Sequence, residues 1–189
     1  STDGKNFSQG IDLEWLGQKM NDQDFDVIKS FMYGINGIFK RILLMPVPVI
    51  AAINGHAFGN GAMLACTCDF RFMKEDRGFF CFPEVNISIP FLPGMIEFVR
   101  KAIPEYQFNG MILSGKRVSA RELEDSHVII KACENSEELL ADALAFAKTF
   151  IKKRGIFGEL KKRMHKDIIR VMETEDVERI DSLDLFIKE

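Results

Sequence analysis

The segment that most restricts this chain is the apolar run from Val47 to Ile53, which carries Pro48, follows Pro46 and stops at Asn54-Gly55. It is far too short to cross a bilayer, which needs about 20 apolar residues. Its lack of polar alternation predicts a strand covered on both faces, and such a strand requires helical layers around it. The chain is therefore directed towards an α/β architecture.

The neighbouring segments agree. Upstream, Val27, Ile28, Phe31, Met32, Ile35, Ile38, Phe39 and Ile42 recur at helical spacing, predicting one amphipathic helix from Phe25 to Leu44 that Pro46 ends. Before it, Phe7 to Ile11 reads as a glycine-bearing loop, with Asp12 as N-cap of a helix beginning Leu13-Glu14-Trp15-Leu16. Downstream, Gly59-Asn60-Gly61 leads into small apolar residues that read as a buried helix. Asp69 closes that helix by a cap or turn, and strands are expected at Phe70–Met73, Phe79–Phe82 and Val128–Ile130, with a charged turn from Lys74 to Gly78. Pro93-Gly94 and Pro104 precede further helices, and Leu139, Leu140, Ala143, Leu144, Ala147, Phe150 and Ile151 predict one helical stripe near the end.

Composition excludes several classes. With 189 residues, 47% of them hydrophobic, including 17 Phe and 9 Met, the chain can build a sizeable core and is neither disordered nor a disulfide-stapled miniprotein. Lys and Arg number 25 against 28 Asp and Glu, so no general nucleic-acid footprint is present. Cys66, Cys68, Cys81 and Cys133 form no CxxC pair and are expected as reduced, buried thiols of an intracellular protein. The chain shows no secretory signal, and Ser1 to Asn6 read as a polar turn with no strand leading into it, so an upstream segment is expected to be missing. The basic stretch 152–170 and the acidic stretch 173–184 read as solvated helix faces or, more sharply, as a phosphate-contacting patch beside an acidic tail.

Three features could carry chemistry: the loop Phe7–Asp12, the glycine loop Gly59-Asn60-Gly61, and Glu84 directly after Pro83. Glycines ahead of a helix expose backbone N–H groups and let a ligand approach closely, as a developing oxyanion requires. Glu84 lies between apolar strand residues and the apolar loop Ile87 to Leu92, where burial would raise its pKa and make it a stronger base. Taken singly, the loops are turns and Glu84 is a surface residue at a strand end. His56, His127 and His165 lack an orienting carboxylate or metal-ligand spacing, so no metal site is expected.

In order and spacing, these pieces resemble the enoyl-CoA hydratase/isomerase family, also called the crotonase family. The resemblance rests on Phe7-Ser8-Gln9-Gly10-Ile11-Asp12-Leu13, Pro48 to Gly61, Cys68-Asp69-Phe70-Arg71, Phe82-Pro83-Glu84-Val85 and Leu113-Ser114-Gly115-Lys116. It implies a ClpP/crotonase-like α/β core of repeated β-β-α units over residues 1–132, with the family's N-terminal strand and helix unit missing. A C-terminal helical region over 133–189 would mediate assembly into homotrimers or hexamers.

The same resemblance implies an acyl-CoA substrate, coenzyme A being part of that substrate rather than a cofactor. The backbone N–H groups of Ile11 and Asn60 would form an oxyanion hole, although the family often has Gly at the second position. Asn tolerates left-handed geometry better than most residues. Gly10, Gly59, Gly61, Met63 and Phe91 would contact substrate. Hydratases of the family use two glutamates to activate water; this chain has Met63 at the first position and Glu84 at the second, and Met cannot deprotonate water. The pattern is similar to Δ3,Δ2-enoyl-CoA isomerases, in which one carboxylate moves a proton from C2 to C4. The charged turn Met73 to Gly78 also resembles eukaryotic isomerase-like members.

Two departures, Asn60 and Ser126-His127 where the family usually has Gly-Leu, favour an alternative of a catalytically silent acyl-CoA-binding or interaction protein. Another crotonase-type reaction, such as thioester hydrolysis or dehalogenation, would need a second catalytic group. Lys188-Glu189 is no Ser-Lys-Leu signal, which leaves peroxisome, mitochondrion and cytoplasm open.

Overall fold

A computed structural model describes residues 4–185; the polar turn at 1–3 and the ending Lys188-Glu189 lie outside it. The chain begins with β1 (Asn6–Ser8), α1 (Leu13–Asn21) and α2 (Phe25–Leu43), then makes two β-β-α units. The first is β2 (Ile50–Ile53), β3 (His56–Phe58) and α3 (Asn60–Thr67); the second is β4 (Phe70–Lys74), β5 (Phe80–Cys81) and α4 (Pro93–Ala102). After these come α5 (Glu105–Ser114), α6 (Ala120–Asp125), β6 (Lys131–Cys133), α7 (Ser136–Ala147), α8 (Arg154–Met164) and α9 (Lys166–Asp181).

Each β-β-α unit gives one strand to each of two parallel sheets, ordered β1-β3-β5 and β2-β4-β6. The large core lies between sheets and helices, where Ile28, Leu43, Ile53, Phe80, Phe82 and Phe98 are fully enclosed. A smaller core of Phe72, Cys133, Leu139 and Ala143 seats α7 on the second sheet, flanked by contacts among Phe70, Phe146 and Phe150. No helix among the described residues is long and apolar enough to cross a membrane. All four cysteines are buried and free, and burial pushes the Cys66 and Cys68 thiols up to about 11.

Several sequence expectations need correction. The buried strand starts at Ile50, because Pro48 has no N–H and Val49 N donates to Asp69 Oδ2 at 2.7 Å instead of to a ladder. Phe7 and Ser8 are not loop but strand, paired with the unforeseen β3 beside them. Val128–Ile130 is no strand: Val128 and Ile129 donate back to Leu123 O and Arg71 Nε donates to Val128 O at 2.8 Å, so bonding to β4 begins with Ile130 N on Arg71 O and the strand itself starts at Lys131. That strand, β6, runs across the junction expected at 132/133. The terminal stripe divides between two faces: Leu139 and Ala143 are buried, whereas Leu140, Leu144 and Ile151 are exposed. Asp12 caps α1 as expected, accepting from Trp15 N.

α8 is bound to the core through polar groups. Lys161, 5% exposed, donates to Asp69 Oδ2 at 2.7 Å and to the carbonyls of Ile42 and Val47. Asp69 thereby joins the start of β2 to a helix about ninety residues downstream.

Candidate functional site

Two loops that are distant in sequence are pressed together by their glycines. Gly10 has φ of +87°, and a Cβ there would lie 2.8 Å from Phe58 O and 3.1 Å from Asn60 N. A side chain would therefore push the Gly10–Ile11 loop off the start of α3. Gly61 is pressed on Ser8 just as closely. The positive φ in the second loop falls on Gly59, at +53°, rather than on Asn60, which simply opens α3. As a first-turn amide, Asn60 N–H has no carbonyl within the helix to bond.

The same stretch faces the carboxylate. A Cβ on Gly59 would lie 3.2 Å from Glu84 Oε1. Glu84 follows Pro83 at the end of the second unit's strands and opens a 3-10 turn, Glu84–Asn86, whose Glu84 carbonyl accepts from Ile87 N and Ile89 N. That turn aims the side chain inward: Glu84 is 8% exposed, and its Oε2 has no hydrogen-bond partner. Burial pushes its pKa up to about 7, so the carboxyl can both take and return a proton near neutrality.

These groups meet at one cavity. Ile11, Gly59, Asn60, Met63 and Glu84 line it, together with Leu13, Leu16, Met32, Leu92, Met95 and Leu185. Glu84 is its sole ionisable lining residue among the described residues, and no cluster there could hold a metal ion. Apart from Gln9 and Asn60, the rest of the lining is glycine, thioether and hydrocarbon, so the cavity suits an apolar chain bearing one polarisable group. Gly10 lies outside this cavity, in an adjoining groove that shares Ile11 and Asn60 and runs along Phe31, Ile35 and Phe39.

Phe91 is displaced from the expected position. It packs on Phe82 and lines a groove on the other side of Glu84, with Ile96 and Leu113, while Ile89 and Leu92 of the same loop reach the cavity. Sequence reasoning missed Met32, Met95 and Leu185 as lining residues. Met32 was visible as part of an apolar stripe, but nothing near Leu185 in sequence points to a pocket. His56 lies outside the cavity lining: its Nδ1 accepts from Phe79 N at 3.2 Å, and burial lowers its pKa.

Paired β-β-α units, glycine-bound loops and one buried carboxylate in an apolar cavity define a fold and site of one class. The family model for enoyl-CoA hydratase/isomerase matches residues 1–185, and the chain belongs to that family. Among curated proteins it is similar to enoyl-CoA delta isomerase 3 of Arabidopsis thaliana, 28% identical over 90% of this chain and 73% of the relative. It is also similar to a carnitinyl-CoA dehydratase of Salmonella typhimurium, 32% identical over 78% of this chain and 54% of the relative. In structure it is similar to enoyl-CoA hydratase from Bacillus halodurans, with a TM-score of 0.83 and 24% identity over 96% of this chain and 74% of that one. At that identity the likeness speaks for the crotonase fold.

Proposed function

We propose that the chain is a Δ3,Δ2-enoyl-CoA isomerase acting on unsaturated fatty acyl-CoA. Glu84 removes a proton from C2 of the 3-enoyl thioester, the electron pair moves onto the thioester oxygen as a dienolate, and the same carboxyl returns the proton to C4. The backbone N–H groups of Ile11 and Asn60 receive the dienolate oxygen, where donors in an apolar, water-poor site are most effective. The proton balance closes on one carboxyl group and needs no metal or redox cofactor.

The observation carrying this reading is that Glu84 is the one ionisable group among the described lining residues of a cavity that Met63 also lines. Hydration would need a second group to orient water, and Met63 offers a thioether there. The name of the Arabidopsis relative agrees with the reading, while that of the Salmonella protein makes dehydration the competing reaction. Conversion of 3-enoyl-CoA to 2-enoyl-CoA tests it, followed beside hydration of 2-enoyl-CoA. Glu84→Gln is expected to lower kcat about 10²–10⁴-fold, the usual contribution of a positioned acid–base group. Full turnover in that variant, or hydration faster than isomerisation in the wild type, overturns the proposal.

The silent alternative draws on Asn60, yet the structure gives that residue helical backbone and leaves its N–H in place. Assembly into trimers or paired trimers is part of the proposal. Ile156, Leu160 and Met164, four apart on α8, form one row of exposed apolar residues, and Leu140 and Leu144 add to them on α7.

A further inference from the structure

A second buried carboxylate takes no part in that chemistry. Asp176, on α9, is fully enclosed; its Oδ1 accepts from Gly94 N at 2.7 Å and its Oδ2 accepts from Asn36 Nδ2 at 2.8 Å. One side chain thus joins α9, the start of α4 and the middle of α2. The fit is close: a Cβ on Gly94 would fall 2.4 Å from Met172 Cγ and 2.6 Å from Asp176 Oδ2. Asn36 makes this bond while its own Oδ1 stays buried without a partner.

Apolar residues packed at such a junction would hold three helices together with less desolvation, so what the carboxylate adds is a fixed mutual placement. Each joined element presents residues to the Glu84 cavity. Met32 lies one turn before Asn36 on the same face of α2, Leu92 and Met95 flank Gly94, and Leu185 follows α9. We propose that Asp176 is a positioning residue for the acyl pocket: it sets where Met32, Leu92, Met95 and Leu185 stand relative to one another. It thereby fixes the length of straight acyl chain that the site accepts. This inference rests on the acyl-CoA reading above and deepens it.

The test is calorimetric binding of saturated, unreactive straight-chain acyl-CoAs of increasing length to the full chain, with thermal midpoints recorded in parallel. In Asp176→Asn, the wild-type optimum in chain length should flatten, with affinity for the best chain falling about tenfold, comparable to misplacing one methylene. Asn36→Ala removes one arm and leaves the bond to Gly94, which keeps the test open should Asp176→Asn fail to fold. The exchanged pair N36D/D176N retains an oxygen for Gly94 N–H and an amide to donate to the new carboxylate, so it should restore the optimum. An unchanged length profile accompanied only by a lower melting point overturns the inference, as does an exchange that restores stability but not the profile. A wild-type chain that binds no acyl-CoA overturns the underlying reading and this inference with it, whereas binding without isomerisation removes only the proposed reaction.

Discussion

Glu84 shows how a single position couples stability to function. Its folded pKa of about 7 lies above the ordinary 4.5 because burial penalises the anion. As a base it must be ionised, so kcat/KM should rise with pH and level off above about 7. The sign for stability is the opposite. A carboxyl raised in the folded state contributes stability that is fully present below about pH 4.5 and is lost as pH climbs through about 7. Glu84→Gln removes that penalty, and its thermal midpoint should exceed that of the wild type at pH 8 but not at pH 4.5. The gap would correspond to at most about 3 kcal/mol. Denaturation curves that stay parallel across this range would show that the carboxyl is not desolvated. Glu84 was legible in the sequence because Pro83 and a flanking apolar loop announce restricted solvent; its partner-free Oε2 was not, since that depends on what surrounds it in space.

At the scale of elements, two polar junctions are open to measurement. The Asp12 cap begins α1, whose Leu13 and Leu16 line the cavity. Asp12→Ala should cost about 1 kcal/mol of stability and weaken acyl-CoA binding as the first turn frays. The Asp69–Lys161 pair is a larger risk, because Asp69→Ala strands a buried ammonium. A loss of about 3–5 kcal/mol is expected in urea denaturation, and Lys161→Met in the same background should recover part of it. The helices α1, α2, α3 and α4 were readable from the Asp12 cap, the apolar periodicity of α2, and the glycine or proline that starts α3 and α4, where local sequence and tertiary packing ask for the same conformation. The strands were blurred at their ends, as at Val47–Val49 and Val128–Ile130, because there the backbone groups are taken by Asp69 and Arg71, which no local pattern reveals.

For the whole molecule, the exposed apolar residues of α7 and α8 argue for a covered face. Light scattering should give three or six times the 21.5 kDa chain mass, and L160E should shift it towards one. A wild-type monomer rules out assembly through this face.

By itself the sequence determined the chemistry-bearing pieces and their order: the two glycine loops, the helices that follow them, and Glu84 between Pro83 and an apolar loop. These are set by residues adjacent in the chain, where turn geometry, caps and apolar runs act over a few positions. Only the tertiary structure decided that Gly10 is pressed on Phe58, that Phe91 lines the neighbouring groove rather than the cavity, and that the chain after α9 comes back to line it with Leu185. Those outcomes depend on which surfaces meet in space rather than on residues adjacent in the chain. Desolvation and close packing settle them jointly, and a linear pattern carries neither.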